Sequence, residues 1–146
     1  MKVLVSACLL GENCKYNGKN NRNEAVLRFA ADKEVISICP EILTGLGAPR
    51  PSVEICGGRI IDKEGKDRDD LYRKGVEMAL EQIKDKEIGL AVLQSRSPTC
   101  GVNQIYDGTF TGTKIDGMGI FARALKERGF LLWMRRSFDD FKGIPI

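Results

Sequence analysis

The sequence predicts an α/β fold: a three-layer sandwich built on a mainly parallel sheet of about four strands, with small β-hairpins added. Three observations carry this expectation. Short apolar runs at Val3 to Val5, Val35 to Ile38, Ile88 to Leu93 and Phe130 to Met134 alternate with helical patterns along the chain. The third run is apolar almost throughout, as a strand buried on both faces has to be. Three successive strand-to-helix passages imply right-handed crossovers, which lay helices on both faces of one sheet.

The elements follow in order. After the first run, Asn21 or Asn23 caps a short helix over 24–32 that places Val26, Phe29 and Ala30 on one face. The second run ends at Cys39-Pro40-Glu41. The density of Gly and Pro from 45 to 58 then predicts an ordered loop, and 59–66 reads as one arm of a hairpin and its turn. The clearest helix carries Tyr72, Val76, Ala79, Leu80 and Ile83 on one stripe. Asp69 and Asp70 stand at its positive start and Lys84 and Lys86 at its negative end. Asp107-Gly108 within 104–111 predicts a small hairpin. A last helix starts near Asp116, presents Phe121, Ala124 and Leu125, and stops at Gly129 after Lys126 and Arg128. The outline is Rossmann-like, and 1–146 reads as a single domain with enough chain to bury a core without disulfides.

Composition narrows the chemistry. There is no histidine, so Ser-His-Asp and Cys-His catalysis, imidazole acid/base work and mixed Cys/His zinc sites are excluded. Any metal has thiolate, carboxylate, hydroxyl or backbone ligands, and thiolates favour zinc, Cu(I) or iron–sulfur clusters. The net charge of +3 is small and the basic residues are interspersed with acids, so there is no strong nucleic-acid signal. No apolar run approaches the roughly 20 residues that span a bilayer, and the first residues enter a strand directly, so no membrane association and a cytoplasmic location are expected. In a reducing compartment the five cysteines read as metal ligands, catalytic thiols or small buried hydrophobes.

Cys8, Cys39 and Cys100 each follow a strand-like run. Taken singly, each reads as a small buried hydrophobe. Taken together, they converge at one edge of a parallel sheet, where open α/β folds place ligands, and this favours metal ligation. Cys14 lies in the first loop as a fourth ligand, a redox partner or a structural residue, and Cys56 reads as structural. Glu41, two residues past Cys39, is a candidate to activate water or move a proton. Ser97 either faces whatever Cys100 binds or caps a turn. Arg50, between Pro49 and Pro51, either orients a polar substrate or is a solvated loop residue. Gly117 and Gly119 allow a substrate to approach the last helix, whose N-terminus suits an anion, or allow tight packing.

The blocks Ser6-Ala7-Cys8-Leu9-Leu10-Gly11, Cys14-Lys15-Tyr16-Asn17-Gly18, Cys39-Pro40-Glu41, Pro49-Arg50-Pro51, Ser97-Pro98-Thr99-Cys100-Gly101, Ile105-Tyr106-Asp107-Gly108-Thr109-Phe110 and Gly117-Met118-Gly119 resemble, in order, a bacterial family long described as a domain of unknown function, which includes the thiouracil desulfidases. The resemblance spans nearly the whole chain. Ser52 departs from a Pro-Arg-Pro-Pro block, and Cys56 lies outside the pattern. The resemblance implies an oxygen-sensitive [4Fe-4S] cluster on Cys8, Cys39 and Cys100, a small thiolated substrate such as 2-thiouracil, and Glu41 with Ser97 as the catalytic pair. Three thiolates would leave one iron open to a sulfur-bearing substrate. The alternatives are a non-catalytic iron–sulfur or zinc-binding module and a cluster-free small-molecule binder.

Overall fold

A computed structural model describes residues 2–134. The chain runs β1 (Lys2–Ser6), α1 (Glu24–Ala30), β2 (Glu34–Ile38), β3 (Val53–Cys56), β4 (Arg59–Asp62), α2 (Asp69–Ile83), β5 (Ile88–Leu93), β6 (Gln104–Tyr106), β7 (Lys114–Asp116), α3 (Ile120–Glu127) and β8 (Leu132–Met134). Short 3-10 turns add Ala7–Leu10 and Ile42–Thr44. The main sheet is parallel throughout, in the order β2-β1-β5-β8.

The predicted α/β sandwich is present, and side-chain alternation along the central strands divides its two faces. Leu4, Ala91 and Leu93 pack under Val76, Ala79, Leu80 and Ile83 of α2 and Phe121, Ala122 and Leu125 of α3. Val3, Val5, Leu90 and Val92 face the other way, onto Val26 and Phe29 of α1. Asn23 caps α1, its side chain accepting from the Val26 amide at 3.0 Å. A third cluster, Val53, Ile60 and Tyr72, attaches the β3–β4 hairpin to the flank of α2. The Asp69 carboxylate fixes that junction by accepting from the Ile60 amide at 3.0 Å.

The first helix ends at Ala30 and the fourth strand starts at Leu132, each two residues inside the expected span, and three boundaries differ by more. The stretch 45–58 is not all loop: it contains β3, which pairs antiparallel with β4 across the turn Gly57-Gly58. Two of the four glycines that marked a loop, Gly57 and Gly58, are that turn. The second arm of the hairpin expected around Asp107-Gly108 is 114–116 rather than 109–111, so 107–113 forms a wide connecting loop. The last helix begins at Ile120, not near Asp116, because 114–116 is committed to β7 and the Gly117 amide bonds to the Asn103 carbonyl.

Two glycines let helices press directly on loops that lead from the sheet edge. A Cβ on Gly75 of α2 would lie 2.5 Å from the Pro40 carbonyl oxygen, and one on Gly119 would lie 2.3 Å from the Thr99 carbonyl carbon. Ala in place of Gly75 gains about 1 kcal/mol of helix propensity, but overpacking against backbone costs roughly 1–3 kcal/mol. We expect both Gly75→Ala and Gly119→Ala to lower stability, Gly119→Ala the more because no mid-helix propensity offsets its closer clash. Chemical denaturation of the two variants checks this, and a more stable Gly75→Ala would contradict it.

Candidate active site

The register aligns the ends of β1, β2 and β5: Ser6 is opposite Ile38, and Val5 is opposite Val92. Cys8 and Cys39 therefore emerge side by side, and the loop after β5 brings Cys100 to the same edge. All three line one cavity of about 490 Å³ together with Cys14, Glu41, Arg50, Ser97 and Thr99, a size suited to a small ligand. Cys56 is outside this wall, on the β3–β4 hairpin, where its thiol donates to the Gly108 carbonyl at 3.0 Å.

Cys14 stands among the thiols, hydrogen-bonded to Cys39 and Cys8, which pushes its own acidity well down. The same contact lowers the Cys8 pKa to about 7, helped by Asn21, whose amide donates to Cys8 Sγ at 3.5 Å. The Cys39 thiol is also lowered, first by Cys14. Burial pushes the Cys100 thiol up, opposed by a hydrogen bond from Ser6.

Glu41 is held at both oxygens. Arg50 Nη2 donates to Oε1 at 2.8 Å, with the Arg50 side chain 2% and the Glu41 side chain 14% exposed. Thr99 Oγ1 donates to Oε2 at 2.8 Å. Arg50 also donates to the Cys14 carbonyl at 3.0 Å and the Gly47 carbonyl at 2.9 Å, leaving its buried Nε without a partner among the described residues. It is thus a buried clamp on Glu41 rather than a solvated loop residue. Burial raises the nearby Tyr72 phenol to about 12.

Ser97 accepts from the Thr99 and Cys100 amides at 3.1 and 3.0 Å, so it shapes the turn that carries Cys100. Its hydroxyl lies 2.8 Å from Thr99 Oγ1 but 3.5 Å from Glu41 Oε2. The shorter route from Ser97 to Glu41 runs through Thr99, which is 1% exposed. Thr99 was not singled out by sequence reasoning. The only signal was a second hydroxyl within Ser97-Pro98-Thr99-Cys100, and its partner lies 58 positions away. Gly117 and Gly119 are not in the cavity wall. The first amides of α3, at Ile120, Phe121 and Ala122, are taken by the Pro98 and Thr99 carbonyls at 2.9–3.0 Å. The structure gives these glycines the packing role, and α3 offers no free amide to an anion.

Among the described residues, no three of the histidine, cysteine, aspartate and glutamate side chains converge to hold one metal ion. A four-iron cluster takes each thiolate on a separate iron and asks only that the sulfurs face a common space. Cys8, Cys39 and Cys100 line the same cavity, and sulfur is the donor type such a cluster takes.

Comparison with known proteins identifies the family. The profile of the 2-thiouracil desulfurase family matches residues 3–137. An uncharacterised protein of Bacillus subtilis, YbbK, is 34% identical over 94% of this chain and 98% of its own length. A solved [4Fe-4S]-dependent thiouracil desulfidase, TudS, superposes with a TM-score of 0.86 at 30% identity, covering 95% of this chain and 93% of that one. The parallel sheet, the thiols gathered at its edge and these matches together place the chain in the 2-thiouracil desulfurase family.

Proposed function

We propose that this protein is a [4Fe-4S]-dependent desulfidase that removes sulfur from a thiolated nucleobase such as 2-thiouracil, giving the carbonyl product and sulfide. The observation that carries the reading is the single cavity onto which Cys8, Cys39 and Cys100 open beside a doubly anchored carboxylate, Glu41. Cys8, Cys39 and Cys100 would hold the cluster, which when bound supplies an iron open to substrate sulfur and so polarises the carbon–sulfur bond.

The chain's own residues supply the rest. The net reaction is hydrolytic: water adds its oxygen to the thiolated carbon, the carbon–sulfur bond breaks, and sulfur leaves as sulfide with the bonding pair, so no oxidant or reductant is consumed. Glu41 accepts the water proton. Arg50 and Thr99 each occupy one site on its two oxygens, leaving further lone pairs for water. Thr99 and Ser97 form a short hydroxyl relay that carries a proton between Glu41 and the departing group. Arg50 stays charged and buried beneath, so Glu41 is oriented without being withdrawn from the cavity.

Single replacement of Cys8, Cys39 or Cys100 by Ala should abolish stable iron retention after anaerobic reconstitution, whereas Cys56→Ala keeps it. Iron and labile sulfide analysis decides this, and equal retention across all four variants would sink the ligand assignment. Glu41→Gln should keep the iron and lose about 10²–10⁴-fold in sulfide release from 2-thiouracil. Turnover at the wild-type rate with a full cluster would make the carboxylate purely structural. Arg50→Ala leaves that carboxylate buried and unpaired, so it should destabilise the fold by about 3–5 kcal/mol, measured by denaturant unfolding of the cluster-free protein.

A further inference from the structure

Part of the cavity wall lies outside the cysteine loops. Glu54 of β3, Lys63 just past β4, Tyr106 of β6 and Phe110 of the loop from β6 to β7 contribute to it. The loop 107–113 reads Asp-Gly-Thr-Phe-Thr-Gly-Thr, so Phe110 is its one aromatic residue. Its threonine hydroxyls bond to one another, Thr109 to Thr111 at 2.6 Å and Thr111 to Thr113 at 2.9 Å. Phe110 thus supplies the loop's apolar contribution to the cavity.

Phe110 has φ 58°, a left-handed conformation that a bulky side chain keeps only where its surroundings enforce it. The enforcing group is Glu54, 9% exposed. One of its oxygens accepts from the Gly108 amide at 2.9 Å and from the Phe110 amide at 3.2 Å. Cys56 Sγ adds a bond to the Gly108 carbonyl at 3.0 Å. A largely buried carboxylate on one hairpin thus holds a strained aromatic on another element, and both face the cavity.

We propose that Phe110 is the substrate-positioning platform of the site. Its ring stacks on the planar conjugated ring of a thiolated heterocycle while the thiocarbonyl reaches the cysteine side, and Glu54 sets the Phe110 backbone that makes this possible. This rests on the desulfidase reading above. An aromatic face takes any heterocyclic base, so the platform selects for flat conjugated rings over acyclic thiocarbonyl compounds.

The test uses the anaerobically reconstituted protein with uracil as the binding probe and 2-thiouracil as substrate. Glycine adopts φ 58° without strain, so Phe110→Gly should hold or raise Tm while weakening uracil binding roughly five- to hundredfold, with the loss in turnover appearing in KM more than in kcat. Phe110→Tyr should restore uracil affinity. A Phe110→Gly protein that binds uracil like the wild type, or that loses Tm while keeping its affinity, would overturn the proposal and make Phe110 a structural plug. If the wild type itself binds neither uracil nor 2-thiouracil, the nucleobase reading falls and the platform falls with it. If the wild type binds and Phe110→Gly binds equally well, the platform alone falls.

Discussion

One buried ion pair, Glu41 with Arg50, ties together the loops on which the site depends. Arg50 Nη2 reaches both Glu41 Oε1 and the Cys14 carbonyl, and the other Glu41 oxygen takes Thr99 from the loop that carries Cys100. The parallel register brings three loops to one edge, but register alone leaves loops free to splay. The carboxylate joins them. Removing one member of such a pair is expensive because the other charge stays desolvated, so the arrangement that fixes Glu41 in the cavity wall also ties together the loops that carry the thiols.

Helix packing reinforces this from behind. Gly75 lets α2 lie against the Pro40 carbonyl, and Gly119 lets α3 start against Thr99. The first amides of α3 bond to the carbonyls of the loop they touch. Core and site are therefore mechanically continuous: the face of the sheet under α2 and α3 buries Cys100 with Leu4, Leu93 and Phe121 in one cluster. A shift of either helix would be felt at a site residue.

The sequence made legible what local pattern determines. The apolar runs of β1, β2 and β5, the stripe on α2, the Asn23 cap and the cysteines at the strand ends all follow from period, propensity or position. Contacts made across long separations were not legible. Thr99 meets Glu41 across 58 positions, and Glu54 meets Phe110 across 56, and nothing in either residue's neighbours announces the partner. β7 was missed for a different reason: all three of its residues are exposed, so it carries no apolar alternation. Arg50 looked like a solvated or substrate-facing loop residue because its burial depends on where Glu41 and the Cys14 loop end up.

The proposed reaction breaks the carbon–sulfur bond with water rather than by electron transfer. The most direct test is turnover of 2-thiouracil by anaerobically reconstituted protein in water enriched in heavy oxygen, with no reductant present. Hydrolysis gives uracil carrying the heavy oxygen and one sulfide released for each uracil formed. Sulfide release that requires an added electron donor, or uracil without the label, would contradict it.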